Sequence, residues 1–196
     1  MSNRRVVLLL AAFVVGAVAI VASALALLPS GRGTVSNEVA IGGPFQLVDQ
    51  NGNAVTQDSY RGRPTLVFFG FTHCPDICPT ALFEMSQLFE ALGPDARKAT
   101  GVFITVDPER DTPEVMKAYL GSFHPSLQGL SGTPEQIAAV TRAYRAYAKK
   151  VPTQGGDYTM DHTAIVYLMD KDGRFVAPFN LKRPPEDAAA ELRRYF

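Results

Sequence analysis

The sequence predicts an α/β domain with a central mixed β-sheet flanked by helices, preceded by one apolar N-terminal segment. Two continuous apolar runs, 65–69 and 102–106, are typical of strands that are buried on both faces of a sheet. A helix-like pattern follows each of these runs. Alternating segments at 45–55 and 163–177 surround turn residues and indicate β-hairpins near both ends of the domain.

The N-terminal segment, residues 6–28, carries no charge and is almost wholly apolar. At a rise of about 1.5 Å per residue, a helix of this length crosses a hydrocarbon core of about 30 Å. Arg4 and Arg5 precede the segment, and the next charge is Arg32. The positive-inside rule therefore predicts a cytoplasmic N-terminus at 1–5, a transmembrane anchor, and a body on the periplasmic side of the cytoplasmic membrane.

A cleaved signal peptide is the alternative for the same segment, because Ala22-Ser23-Ala24 and Ala24-Leu25-Ala26 both suit a signal peptidase. The apolar run is longer than the usual signal core of about 7–15 residues, which favours the uncleaved anchor. Residues 29–42 begin with a stretch rich in Pro, Ser, Gly and Thr and are predicted to be a flexible linker. The domain is then expected to span 43–196.

The composition gives no electrostatic reason to expect nucleic acid or an anionic surface as a partner, because 19 basic residues balance 19 acidic ones. Histidine is scarce: any imidazole site must use His73, His124 or His162.

The patterns along the domain predict an order of hairpin, strand, helix, strand, helix, short strand, helix, hairpin and helix. Leu82, Met85, Phe89 and Leu92 form one helical stripe that begins after Pro79 and ends at Gly93. The remaining predicted elements are a helix from Pro113 to about Leu120, a short strand at 127–130, a helix from Thr133 to about Lys149, a polar loop at 151–160, a strand at 163–169 with its return at 174–177, and a last helix after Pro184.

The stretch from Gly70 to Pro79, read as GFTHCPDICP, holds both cysteines of the chain, Cys74 and Cys78. Two thiols can simply pack as small apolar groups, but the polar and proline-rich flanks indicate a loop. The functional alternatives are a redox disulfide and a soft metal site. Because Cys78 precedes Pro79 at a predicted helix N-terminus, we expect a lowered thiol pKa there, which suits both alternatives.

The order strand, dithiol loop and helix, with a final hairpin and helix, resembles the thioredoxin fold. Thioredoxin-type oxidoreductases use two residues between their cysteines, whereas three separate Cys74 from Cys78. His162 stands at the predicted start of a strand, at a position that faces the dithiol loop in that fold and that thioredoxins fill with a cis-proline. A histidine that only caps the strand is the plain alternative.

Cys74, Cys78 and His162 together would supply two thiolates and one imidazole. A structural zinc site has four ligands, whereas this soft, three-ligand set suits Cu(I) and leaves the ion open to transfer. Catalytic zinc stays open as an alternative. We expect His73 to point away from the site and His124 to lie on the surface of a separate loop.

Three blocks together resemble the Sco/SenC copper chaperones of cytochrome c oxidase assembly. They are the dithiol stretch 70–79, the stretch 106–113 read as VDPERDTP, and Asp161-His162-Thr163. The second block has two interpretations, a structural turn with a helix start or a partner-docking surface, and Arg110 is expected to pair with one of its two aspartates.

The resemblance, which covers about 43–196, implies a thioredoxin-like fold and copper, as Cu(I) or Cu(II), held by Cys74, Cys78 and His162. It implies delivery of copper from an upstream donor to the binuclear copper centre of cytochrome c oxidase subunit II. It also implies an alternative role as a thiol–disulfide reductase for the cysteines of that subunit, with Cys74 and Cys78 as the redox disulfide and a separate thiol reductase as partner. A peroxiredoxin-like enzyme is a further alternative.

Overall fold

The computed structural model describes residues 40–196, together with residues 13, 14, 16–18 and 23, which are helical. The chain divides into two compact units, Met1–Glu38 and Val39–Phe196. Most of the predicted anchor at 6–28 and of the predicted linker at 29–42 lies outside the described residues. Within the described part of the chain, no helix combines the length and apolar character needed to cross a membrane.

A mixed β-sheet forms the centre of the second unit, as predicted. The strands of this unit are β1 Gln46–Asp49, β2 Ala54–Thr56, β3 Thr65–Gly70, β4 Thr100–Thr105, β5 Leu127–Ser131, β6 Ala148–Pro152, β7 Tyr158–His162, β8 Val166–Met169 and β9 Phe175–Pro178. Seven of them form the central sheet in the order β2-β1-β5-β4-β3-β8-β9, whereas β6 and β7 pair with each other. The central strands β3, β4 and β5 are parallel, and the outer pairs are antiparallel.

Four α-helices accompany the sheet: α1 Ile77–Leu92, α2 Pro113–Leu120, α3 Pro134–Ala143 and α4 Pro185–Leu192. Helix α1 packs against α4 and covers the sheet face that carries Phe68 and Phe103, both almost fully buried. On the other face, Tyr144 at the end of α3 meets Phe69 edge to face, with ring centres 5.4 Å apart. Every residue of β3 and of β4 is buried, which confirms the prediction that these continuous apolar runs form strands covered on both faces of the sheet.

Helix α1 begins two residues earlier than predicted, at Ile77, so Cys78 lies within its first turn. The first N–H groups of a helix have no partner within the helix, so Pro79 is tolerated at the third helical position without loss of a hydrogen bond. The prediction placed the start at the proline itself because proline favours the first position of a helix.

The predicted helix from Thr133 to Lys149 and the predicted polar loop at 151–160 are both wrong in part. Helix α3 ends at Ala143, and Arg145 adopts a positive φ of 52° that a helix cannot continue. The following residues form the hairpin β6–β7, which is a separate two-stranded sheet. Its turn contains Gly155 and Gly156, both with positive φ. The polar residues that predicted a loop therefore lie in the turn and in the exposed strands of this hairpin.

The strand predicted to begin at Thr163 also begins later, at Val166, as β8. His162 is therefore the last residue of β7 and, contrary to the prediction, does not immediately precede the following strand. The returning strand, the turn at 170–173 and the last helix lie where the sequence predicts them.

Candidate metal centre

The two cysteines lie at the carboxyl end of β3, where the chain leaves the buried sheet and enters α1. Cys74 is partly exposed on the connecting loop, whereas Cys78 is fully buried in the first turn of the helix. The backbone N–H of Cys78 donates to Cys74 Sγ at 3.4 Å, which fixes the two sulfurs beside each other. Both cysteines carry free thiols.

Gly70, the last residue of β3, allows this close approach of helix to strand. A Cβ atom at this position would lie 2.7 Å from Cys78 Sγ and 2.5 Å from the ring of Phe103, both far below normal contact distances. The missing side chain thus provides the space that the buried sulfur occupies.

His162 completes the group from the hairpin β6–β7. Its Nε2 lies 3.5 Å from Cys78 Sγ, and its Nδ1 lies 3.1 Å from the carbonyl oxygen of Thr163. Because a carbonyl only accepts, Nδ1 carries the proton in the neutral ring, and the lone pair of Nε2 faces the sulfur. Phe68 and Phe71 meet the imidazole edge to face and hold its plane.

The structure therefore brings together the three residues selected from the sequence. One possible ligand atom each from Cys74, Cys78 and His162 lies within 4.8 Å of the other two. Within the described ranges, no other cluster of histidine, cysteine and carboxylate side chains meets the same criterion. Two sulfurs and one imidazole nitrogen form a soft donor set that fits copper(I).

The expectation of a lowered thiol pKa at Cys78 is wrong. Burial raises the pKa of the Cys78 thiol, despite its place at a helix N-terminus. Removal of the sulfur from water disfavours the thiolate more than the helix dipole favours it. A metal ion that binds here must therefore displace the thiol proton.

The second block holds the dithiol loop in place. Asp111 is fully buried, and its carboxylate accepts hydrogen bonds from the Thr72 backbone N–H at 3.0 Å and from the Thr72 hydroxyl at 2.6 Å. The Thr105 hydroxyl donates to the same carboxylate at 2.6 Å. The local sequence predicts Asp111 only at a helix start or as a partner of Arg110; its contact with Thr72 was not predicted, because Thr72 lies 39 residues away along the chain.

The other two histidines lie outside the cluster. His73 is half exposed, with Nδ1 3.9 Å from Asp111 Oδ1, as expected for a side chain that points away from the cysteines. His124 is not a plain surface residue: its ring stacks on Phe89, and its Nδ1 accepts a hydrogen bond from the Ser126 backbone at 3.1 Å. It therefore packs against the core and hydrogen-bonds within the loop between α2 and β5.

Comparison with known proteins agrees with this arrangement. The family model described as SCO1/SenC matches residues 33–196. A SCO2-like protein of Rickettsia prowazekii is 44% identical over 147 residues, which are 74% of this chain and 72% of that protein.

Two solved structures of Sco proteins have a fold similar to that of this chain. Bradyrhizobium japonicum ScoI, solved with copper bound, is 68% identical and superposes with a TM-score of 0.79 over 80% of this chain and all of that chain. BsSco, a Sco-family cytochrome c oxidase assembly protein in which a disulfide switch is identified, is 25% identical, with a TM-score of 0.62 over 79% of this chain and 93% of that chain. With its family match, its sequence relatives and its fold in agreement, this chain belongs to the SCO1/SenC family.

Proposed function

We propose that this protein is a copper chaperone that binds copper through Cys74, Cys78 and His162 and delivers it to the binuclear copper centre of cytochrome c oxidase subunit II. The observation that carries the proposal is the convergence of two sulfurs and one imidazole nitrogen within 4.8 Å. Three ligands leave a soft ion coordinatively open, and a partly exposed Cys74 gives an acceptor a route to it. Copper is thus the cargo of this site.

The apolar segment 6–28 anchors the protein in the cytoplasmic membrane, with its domain on the periplasmic side. The residue pattern supports this placement, since Arg4 and Arg5 precede an uncharged run of membrane-spanning length. Delivery then requires the acceptor subunit to present its copper centre on the same side of the membrane.

A thiol reductase and an upstream copper donor are the further partners of this function. Two sulfurs joined in a disulfide cannot serve as thiolate ligands, and an exported dithiol tends to oxidise. An external reductant is therefore required to return oxidised Cys74 and Cys78 to thiols before the chain can bind copper.

A transfer experiment tests the proposal. The full chain, reduced and loaded with copper(I), is mixed with the copper-free soluble domain of subunit II. Transfer is measured by the copper content of the two proteins after they are separated, and formation of the binuclear centre by its visible absorption after a mild one-electron oxidant is added. We expect transfer from the wild type and none from Cys74→Ser, Cys78→Ser or His162→Ala. A wild-type chain that keeps its copper in the presence of a competent acceptor would contradict the delivery function.

A thiol–disulfide oxidoreductase is the second candidate, and the contact between Cys78 N–H and Cys74 Sγ supports it because it places two free thiols side by side. The partly exposed Cys74 thiolate would attack a substrate disulfide and release one substrate thiolate. Cys78 would then attack Cys74 Sγ and release the second, so that two electrons pass to the substrate and the chain holds a disulfide.

The two candidates separate on His162, because disulfide exchange needs no imidazole ligand. Reduction of oxidised subunit II by His162→Ala at the wild-type rate, combined with loss of copper transfer, would assign both activities to the same sulfurs. Wild-type copper transfer by His162→Ala would instead show that the imidazole is not needed as a copper ligand.

A further inference from the structure

The hairpin β6–β7 carries His162 but lies outside the seven-stranded sheet. Of the ten residues in its two strands, only Met160 is buried. The position of His162 relative to the cysteines therefore depends on side-chain contacts between this hairpin and the domain.

Arg110 provides the most extensive of these contacts. Its guanidinium lies over the ring of Tyr158 at 3.8 Å, and its Nη1 donates to the Tyr158 carbonyl oxygen at 3.0 Å. Its Nε donates to the buried Asp107 carboxylate at 2.5 Å. One planar cation thus joins the backbone and ring of the first residue of β7 to the second block.

Two further contacts close the same junction. The Tyr158 hydroxyl donates to Asp107 Oδ1 at 2.8 Å, so the Asp107 carboxylate accepts hydrogen bonds from both Arg110 and Tyr158. Lys150, on β6, pairs with Glu109 at 2.6 Å and lies 4.5 Å from the Tyr158 ring centre.

The dithiol loop is attached to the same turn. Asp111 holds Thr72, two residues before Cys74, through two hydrogen bonds. The turn at 107–111 is therefore in contact with both halves of the cluster: the loop that carries the cysteines and the hairpin that carries the histidine.

We propose that Arg110 is a positioning residue that clamps the hairpin β6–β7 and thereby keeps His162 within reach of the cysteine sulfurs. The proposal rests on the proposed function insofar as His162 is a copper ligand. The clamp itself is a property of the metal-free protein and is testable without copper.

The first test measures amide hydrogen exchange in the metal-free, reduced full chain. Arg110→Lys keeps the charge but cannot stack on Tyr158 and donate to Asp107 and the Tyr158 carbonyl together. We expect exchange in 148–162 to become about tenfold faster, while β3 and β4 keep their protection.

Arg183→Lys is the matched control, because Arg183 also pairs with a carboxylate, Glu191, and lies 5.6 Å from the centre of a ring, Phe179. It should leave exchange in the hairpin unchanged. Tyr158→Phe keeps the ring and removes the hydroxyl, so we expect a smaller acceleration in the same residues. Hairpin protection equal to that of the wild type in Arg110→Lys would overturn the clamp.

The second test is a double-mutant cycle on copper(I) affinity. Arg110→Lys should weaken binding about tenfold in the wild-type background and leave it unchanged in the His162→Ala background, because no ligand then remains for the clamp to position. Equal weakening in both backgrounds would show that Arg110 acts through the cysteines or the whole domain, and would overturn the proposal.

Failure of the Arg110 proposal and failure of the proposed function give different results. If His162→Ala alone leaves the copper affinity of the wild type unchanged, the three-ligand site is wrong. The exchange measurement still decides whether Arg110 holds the hairpin.

Discussion

Gly70 shows how a single residue gives the site its shape. It stands where β3 meets the first turn of α1, and a Cβ atom there would lie 2.7 Å from Cys78 Sγ. Contacts this short do not persist in folded proteins, so the sulfur must move, and so must the Phe103 ring, which would lie 2.5 Å from the same Cβ atom.

We therefore expect Gly70→Ala to lower the free energy of unfolding by about 1–3 kcal/mol, the usual cost of overpacking a core. Copper affinity should fall as well, because the displaced sulfur is one of the three proposed copper ligands. Chemical denaturation and a copper(I) competition assay measure the two effects. Gly43→Ala is the control, since its Cβ would meet Ala143 at an ordinary 3.5 Å, and an equal loss in both variants would contradict the steric account.

The proposed site predicts that His162 is needed for copper binding but not for thiol chemistry. We expect His162→Ala to weaken copper(I) binding at least about tenfold, because one of three ligands is lost, while Cys74 and Cys78 still form and release a disulfide. Copper competition and thiol titration measure the two properties. His124→Ala, away from the cluster, should leave copper affinity as it is, and an equally large effect of both variants would remove His162 from the site.

At the scale of elements, the hairpin β1–β2 depends on a buried carboxylate. Asp49 accepts hydrogen bonds from the backbone N–H groups of Asn51 and Asn53 at 2.8 and 2.9 Å, and weaker ones from the Asn53 and Gln128 side chains. Burial alone would raise the pKa of Asp49, but these hydrogen bonds outweigh it and lower the pKa below its ordinary value of 3.8.

A lowered folded-state pKa stabilises the protein above the unfolded-state value, and this stabilisation is lost as the pH falls through the folded-state pKa. We expect Asp49→Asn to cost roughly 1–2 kcal/mol of unfolding free energy at pH 7 and progressively less below about pH 4. Urea unfolding as a function of pH measures this difference. Glu90→Gln, exposed on α1, should change little, whereas a cost of Asp49→Asn that stays constant from pH 7 to pH 3 would contradict the linkage.

The sequence was sufficient for the elements whose signals are local. Runs of apolar residues located β3 and β4, and Thr-Pro pairs located the starts of α2 and α3. The hairpin β6–β7 was not predicted, because its strands are largely exposed and therefore lack the alternation that marks a half-buried strand.

In the site, too, the features with local sequence signals were predicted, and those that depend on contacts between distant segments were not. Cys74, Cys78 and His162 were recognisable from residue type and family resemblance, and the structure places them together. The positions of Asp111 beneath Thr72 and of Tyr158 beneath Arg110 depend on contacts between distant segments, which no local pattern encodes. The raised pKa of the Cys78 thiol likewise follows from burial, which outweighs the effect of the helix N-terminus that the sequence made visible.

At the scale of the whole molecule, the apolar segment 6–28 is expected to place the domain outside the cytoplasm. A reporter enzyme that is active only outside the cytoplasm, fused after Phe196, should therefore be active, and a cytoplasm-specific reporter at the same position should be silent. N-terminal sequencing of the mature protein provides the second measurement. Cytoplasmic activity would contradict the orientation, and a mature N-terminus near Ala26 would contradict the uncleaved anchor.

The central claim is that two sulfurs and one imidazole nitrogen hold the copper ion. X-ray absorption at the copper edge, on the reduced full chain loaded with one equivalent of copper(I), tests it most directly because it counts the atoms bound to the metal. We predict two sulfur neighbours and one nitrogen neighbour, with the nitrogen lost in His162→Ala and one sulfur lost in Cys74→Ser or Cys78→Ser. A wild-type spectrum without a nitrogen neighbour, or a nitrogen neighbour that persists in His162→Ala, would contradict the proposed site.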